Sequence, residues 1–463
     1  MPYRPDHVET ARPALEEILQ RRVRDGRAPA SSGALLTPAG VVATASAGDG
    51  TTTPAPPPGA AFRVASCTKS LTAATLLTLV ADGALALDQP LDDVLDVAVL
   101  GASRAPTIGE LASMSGGIPV DDPWADRQES IPAEAMDALL ADGVRLVAEP
   151  GARYEYSSLG YAILGRVLER VTGTPYPALV AERLLQPLGL TGIGYDRTVD
   201  APVVPGYARV EGAWTEQPWA EPGAFSALGG VIASPTALGT WAGWLAAAHR
   251  EGASDDVLSA AARRTMQEGR TEVPGSAGSA YGLGLVVEQD PRHGRVVSHS
   301  GGYPGYGAHM RWHPESGIGV VVLENARYSG ATAPATQALT LLLDAARVEE
   351  RELDLWPETR AAWDLVEGLL RRWDDAALEA AASDNLALDE TFALRRREAE
   401  RLAGIAGLDP EAPVPALRDA AARSDSPAHL VWSVRGRSGA LRCEVRLTPV
   451  RDPKVQTLAI RLG

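Results

Sequence analysis

A serine and a lysine stand three residues apart in Val64-Ala65-Ser66-Cys67-Thr68-Lys69-Ser70-Leu71, and an apolar run to Val80 follows them. The run reads as a buried helix, on which positions i and i+3 share a face. A helix that begins near Ser66 puts the hydroxyl at its positive end and hangs the Lys69 amine one turn on. A serine hydroxyl is a weak nucleophile until a neighbouring base takes its proton. A buried lysine can be that base, because loss of solvation lowers its pKa. Composition sharpens the point: lysine and arginine total 43, yet only Lys69 and Lys454 are lysines. Arginine cannot be deprotonated in a protein, so it could not replace Lys69 in that task. The plain alternative is a helix-capping Ser66 beside a surface Lys69, and Ser-x-x-Lys alone does not choose.

Two more polar clusters stand out. Tyr156, Ser157 and Ser158 lie between a Pro150-Gly151 turn and the helix expected over Tyr161–Val171, a junction where site residues commonly sit. His299-Ser300-Gly301-Gly302 ends the strand expected over Arg295–Ser298. The two cysteines, Cys67 and Cys443, build neither a disulfide framework nor a metal spacing. Cys67 has no evident His/Asn partner, so a small buried residue is its expected role. His309 and His313 are four apart, but in strand-like sequence with no acidic partner, so no metal and no cofactor are expected.

The elements that must position these residues follow from periodicity. Val8–Asp25 reads as an amphipathic helix, with strands at Ala34–Leu36 and Val41–Ala43. Thr107 with Glu110 forms a capping-box pattern for a helix running to Met114. Ile131–Ala141 is helical, and Ser234-Pro235 starts a helix carrying Trp241 and Trp244. Tyr281–Val287 and Gly319–Leu323 read as strands. Strands from both ends with helices inserted between them give an α/β (α+β) class, a sheet flanked by helices. Residues 347–360 are charged and read as a linker. Beyond it, helices over 361–382 and 391–406 precede strands at 430–435, 441–447 and 455–462, a small C-terminal α+β domain over 361–463.

Net charge is −16, which argues against a nucleic-acid or anionic-membrane surface. Residues 1–7 show no basic-then-apolar leader and no run of about 18 apolar residues occurs, so a cytoplasmic protein is expected.

The clusters, in the order Ser66/Lys69, Tyr156/Ser158, His299/Ser300/Gly301, resemble the serine β-lactamase and penicillin-binding-protein superfamily. They are most similar to its branch with class C β-lactamases, D,D-peptidases, D-aminopeptidases and family VIII carboxylesterases. That branch carries Ser-x-x-Lys, Tyr-x-Asn, then Lys-Thr-Gly or His-x-Gly. The stretches 107–119, 154–165 and 229–241 match it too, and the resemblance spans roughly residues 8–345. It implies a β-lactamase-like antiparallel sheet in a domain over 1–346. It implies that Ser66 is acylated and that Lys69 takes its proton. Tyr156, as a phenolate held by cations, would shuttle the proton to the leaving group; a buried tyrosine with a satisfied hydroxyl is the alternative. His299, placed on the edge strand, would polarise Tyr156 or bind substrate, or else be a structural histidine. The N–H groups of Ser66 and Gly302 would form the oxyanion hole, with Ser158, Ser300 and Gly301 at the substrate. Two departures stand out: Ser158 replaces asparagine, and His299 replaces the lysine of class C enzymes.

The superfamily spans several acyl transfers, and fold does not choose among them. A β-lactamase or wall peptidase needs export, for which no signal is present. The favoured reading resembles penicillin-binding-protein-type thioesterases, which cyclise nonribosomal peptides and carry an extra C-terminal domain. The substrate is then a small or peptidyl (thio)ester, with a carrier protein as partner. The alternative is a cytosolic carboxylesterase or D-stereospecific peptidase with little β-lactamase activity.

Overall fold

The computed structural model describes residues 6–462 apart from 198, 277, 291, 347, 349–353, 416, 418, 419, 421, 423 and 425. The chain forms two compact units, Met1–Gln289 with Arg295–Val348, and Asp290–Gly294 with Glu349–Gly463. Among the described residues no helix is long and apolar enough to cross a membrane.

The first unit opens with α1 (Asp6–Arg24) and the hairpin β1 (Ala30–Thr37) and β2 (Gly40–Gly48). Next come α2 (Thr68–Ala81), α3 (Ile108–Ala112), α4 (Asp122–Ala125), α5 (Ser158–Thr172), α6 (Ser226–Gly229) and α7 (Pro235–Ala246). The chain then returns through β3 (Thr271–Glu272), β4 (Ala280–Tyr281), β5 (Val286–Asp290), β6 (Gly294–Tyr303), β7 (Tyr306–His313) and β8 (Ile318–Glu324), and ends on α8 (Thr332–Ala345). These strands form one sheet in the order β3-β4-β5-β6-β7-β8-β1-β2. β1 runs antiparallel to β8, from Ser31 opposite Glu324 to Leu36 opposite Gly319. First and last strands thus pair inside one antiparallel sheet, one strand from its edge, the class expected.

Helices cover both faces. Successive side chains of a strand point to opposite faces, and β8 shows it. Ile318, Val320 and Val322 pack with Leu15, Leu19, Leu339 and Leu342 of α1 and α8. Val321 and Leu323 join the other core, with Leu71 and Leu76 of α2 and Trp241 of α7. α2 is buried from Thr68 to Leu79. A helix buried all round has no polar face, so Thr68, Lys69, Ser70 and Thr72 near its start must find partners inside the protein.

The structure corrects two local readings and bears out a third. The expected strand 281–287 is broken: Gly284 has φ +70, and the Gly282 N–H closes onto the Leu285 carbonyl at 2.8 Å. A Cβ on Gly284 would lie 2.5 Å from the Lys69 carbonyl oxygen, so the glycine permits the chain to turn against α2. β6 is not an edge strand, since it lies between β5 and β7. It has ten residues to the five of β5, so its far half, which carries His299, extends past that neighbour. The capping box predicted at Thr107 and Glu110 is present in both directions.

In the second unit, α9 (Pro357–Arg371) begins inside the stretch read as a linker, of which 347 and 349–353 lie outside the described residues. The helix expected over 361–382 is two helices, α9 and α10 (Asp375–Ala381). Asp374 explains the break, because its carboxylate accepts from the Ala376 and Ala377 N–H groups and starts a new helix. After α11 (Asp384–Asp389) and α12 (Phe392–Ala406), strands β9 (His429–Arg435), β10 (Ala440–Leu447) and β11 (Val455–Leu462) form an antiparallel sheet in chain order. This unit has its own core, from Leu369 and Leu402 to Trp432 and Val445.

Candidate active site

Ser66 sits in a single 3-10 turn, Ala65–Cys67, that leads into α2. Ala65 holds φ +49, a left-handed conformation rare for a residue with a Cβ and typical of strained site backbone. Just upstream, Arg63 is buried and pairs with the equally buried Glu129 at 2.7 Å. Tyr303, at the end of β6, donates to the same Glu129 oxygen. This knot ties the approach to Ser66 to the strand that carries the third motif.

Lys69 is fully buried. Its Nζ lies 2.9 Å from Ser66 Oγ, 3.1 Å from Ser158 Oγ and 3.0 Å from the Leu228 carbonyl oxygen of α6. An ammonium has three protons to donate, and all three are accounted for. Burial pushes the Lys69 pKa down, while Asp122, Asp126 and Asp121 pull it back part of the way. The surface-lysine alternative is thus replaced by a buried amine against a serine hydroxyl, the arrangement that can deprotonate it.

Ser157 caps α5, accepting from the Gly160 N–H. The Asp121 carboxylate adds to that cap by accepting from the Ser158 N–H at 2.7 Å and the Leu159 N–H at 3.0 Å. This fixes the first turn of α5 and turns the Ser158 side chain inward, where its hydroxyl donates to Asp122 Oδ1 at 2.6 Å. Ser158 is 0% exposed. Its expected place at the substrate is therefore corrected: it lies behind Lys69.

Tyr156 is partly buried, and the Lys69 Nζ lies 5.1 Å from its ring centroid. Burial and then Asp122 drive its pKa well above the ordinary phenol value, outweighing a hydrogen bond with Ser66 that lowers it. The phenolate expectation finds no support in this environment: burial first, and Asp122 after it, favour the neutral phenol.

His299 is also placed differently. Its Nδ1 donates to the Ser300 carbonyl oxygen at 2.6 Å, which leaves Nε2 to accept from the Tyr281 hydroxyl at 2.9 Å. Its ring is 6.4 Å from that of Tyr156 and reaches it by packing, with Tyr281 as its hydrogen-bond partner. Burial, and then the Lys69 charge, lower its pKa to about 3. The imidazole is neutral at any ordinary pH. The Cys67 thiol donates to the His299 carbonyl at 3.2 Å, and burial pushes its pKa up to about 12, so it is no nucleophile.

Gly301 packs directly on the Ser66 turn: a Cβ there would lie 2.3 Å from the Val64 oxygen and 3.1 Å from the Ser66 nitrogen. Tyr303 opposite Tyr306 closes a two-residue turn, and Gly302 is opposite Gly307. Antiparallel pairs alternate between exchanging hydrogen bonds and not, so Gly302 is in the pair that does not, and its N–H turns away from β7. Ser300 is exposed. His309 and His313 lie on the strand β7, about 13 Å apart at ~3.3 Å per residue, too far to share an ion.

Sequence reasoning missed Asp121, Asp122 and Asp126. The available signal was three aspartates within six residues straight after the Ser115–Pro119 turn. Asp126 is 3% exposed, its Oδ2 accepts from the Tyr328 hydroxyl at 2.7 Å, and burial raises its pKa to about 7. An open groove of about 1370 Å³ begins beside Tyr154 and is walled by Glu110, Ser115, Arg153, Arg270 and Ala280.

The family model described as Beta-lactamase matches residues 15–345. The chain is 25% identical over 268 residues to penicillin-binding protein 4* of Bacillus subtilis (strain 168), covering 54% of this chain and 57% of that protein. Little more than half of that relative's length is thus matched. The octameric penicillin-binding protein homologue from Pyrococcus abyssi superposes with a TM-score of 0.64 at 20% identity, over 97% of this chain and 99% of that one. SurE superposes at 0.59 and 20% identity, over 97% and 92%. A D-stereospecific amidohydrolase from Streptomyces sp. superposes at 0.59 and 23% identity, over 71% and 98%. Two of these structures extend over nearly the whole chain, and the third over about as much of it as the first unit supplies.

Proposed function

Because the chain belongs to the beta-lactamase family of serine hydrolases, we propose that Ser66 takes a peptidyl group from a carrier-protein thioester and passes it to the peptide's own amine, releasing a ring. The observation that carries this reading is the charge around the serine. The third motif supplies a neutral imidazole, His299, where class C enzymes have a lysine, and its pKa near 3 keeps it neutral. Asp121, Asp122 and Asp126 all act electrostatically on Lys69. A β-lactam or a C-terminal D-alanine brings a carboxylate, and no cation of the third motif is there to receive it. A thioester carbonyl is uncharged, and the ammonium of a peptide N-terminus is attracted.

In the first half-reaction, Ser66 Oγ bonds to the thioester carbon as Lys69 takes its proton. The carbonyl oxygen is received by the N–H groups of Ser66 and Gly302. The C–S bond then breaks, and the proton passes by way of the neutral Tyr156 hydroxyl to the departing thiolate. In the second, the peptide amine bonds to the acyl carbon, its proton moves to Lys69, and the Ser66 C–O bond breaks as Ser66 is reprotonated. Water in place of the amine gives the free acid.

Intact mass spectrometry tests the reading, with a peptidyl thioester ending in a D-residue and a p-nitrophenyl ester as substrates. The wild type should yield a peptide product lighter than the free acid by one water, and Ser66→Ala should yield none. Free acids alone would make the enzyme a hydrolase, and the ester-to-peptide rate ratio would then tell an esterase from a peptidase.

A further inference from the structure

We propose that Asp122 is a positioning residue: by holding the Ser158 hydroxyl proton, it leaves the lone pair of neutral Lys69 no direction but Ser66. The inference rests on the acyl-serine reading above and follows from counting protons. Once Lys69 has lost a proton, its amine has two N–H donors and one lone pair. Its three neighbours are Ser66 Oγ at 2.9 Å, Ser158 Oγ at 3.1 Å and the Leu228 carbonyl oxygen at 3.0 Å. The carbonyl can only accept, so it takes one N–H. A serine hydroxyl can donate or accept, and a free Ser158 could donate into the lone pair and block the base. Ser158 is not free, because its proton goes to Asp122 Oδ1 at 2.6 Å. It therefore accepts the second N–H of Lys69, and the lone pair is left for the Ser66 hydroxyl.

This accounts for the serine at 158. An asparagine there would present an amide oxygen, which only accepts and needs no help. Serine performs the same task only with a fixed acceptor on its far side. The residues are held for it: Ser158 is 0% exposed, and Asp121 clamps the backbone of the same turn.

The test is the second-order rate of phosphonylation of Ser66 by a fluorophosphonate, against pH. In that reaction the Ser66 O–P bond forms, the P–F bond breaks, fluoride leaves and Lys69 takes the serine proton. The rate is referred to the end-point labelling of Ser66, so that only folded protein counts. Asp122→Ala should lower the rate by about 10²-fold, as loss of a general base does. Adding Ser158→Asn to it should recover at least about tenfold, since the amide oxygen needs no Asp122. A residue with a merely structural role would not be rescued in this way.

The pH profile separates charge from direction. Lys69 is surrounded by Asp121, Asp122 and Asp126, by Cys67 and His299, and by the rings of Tyr156 and Tyr161. Of these, Asp122 raises its pKa. Both variants should therefore show the acidic limb displaced to lower pH, whereas only the double variant recovers rate. An Asp122→Ala rate within twofold of wild type, or a double variant no faster than the single one, would overturn the role while wild-type labelling left the acyl-serine reading intact. No labelling of wild-type Ser66 would overturn both.

Discussion

At the scale of single residues, burial disfavours the charged forms of Cys67, Tyr156 and His299 around one amine. His299 shows what this does to stability. Its ordinary pKa is 6.5, and in the folded protein it falls to about 3. As pH drops below about 6.5 the unfolded chain takes up this proton and the folded one does not. The stability contributed by the neutral imidazole is present above about 6.5 and is lost as the pH falls toward 3. His309, buried on β7, is lowered in the same sense. We expect the urea midpoint of the first unit to fall across that window, and to fall less in His299→Gln, whose amide can still accept from Tyr281. Equal slopes for the two proteins would show that His299 is not held neutral.

At the scale of elements, two glycines let backbone pass where side chains would collide. Gly284 lets β4 and β5 turn against α2, and Gly301 lets β6 press on the Ser66 turn. Gly301→Ala would place its methyl 2.3 Å from the Val64 carbonyl oxygen and 2.9 Å from the Ala65 Cβ. Backbone must then move, at ~1–3 kcal/mol for overpacking, and the part that moves carries Ser66. The expected outcome is a labelling rate lowered at least tenfold among the molecules still folded. Gly330→Ala is the comparison: φ is +76 there and no atom lies within 4 Å of the added methyl, so its cost is ~1 kcal/mol of backbone strain. Equal labelling rates in the two variants would mean that the Gly301 contact does not position the serine.

At the scale of the whole molecule, two cores stand in one chain. Trp432, 1% exposed, donates through Nε1 to Glu367 Oε1 at 2.8 Å, and Glu367 is 0% exposed. Arg371 holds the other carboxylate oxygen at 2.6 Å. Trp432→Ala removes a large core side chain and leaves Glu367 one partner short, a loss of ~3–5 kcal/mol. Because each unit has its own core, calorimetry should show two transitions, with the variant moving only that of the second unit. A single transition that shifts as a whole would mean that the units melt as one.

The sequence by itself determined the family and the class of fold, and it pointed to the chemistry. Ser66 and Lys69 are close in the chain, so one turn of helix brings them together, and period-2 and helical patterns located most elements. It also marked Tyr156 and His299, though not what surrounds them. Only the tertiary structure decided the charge state of the site. Asp122 and Ser158 are 36 residues apart and Lys69 is 89 from Ser158, and no local pattern says that three such groups will share a proton chain. Neither the neutrality of Tyr156 and His299 nor the inward turn of Ser158 is a property of those residues alone. Each depends on how much water the fold removes and which carboxylates it leaves nearby, and that is set by packing between segments distant in sequence.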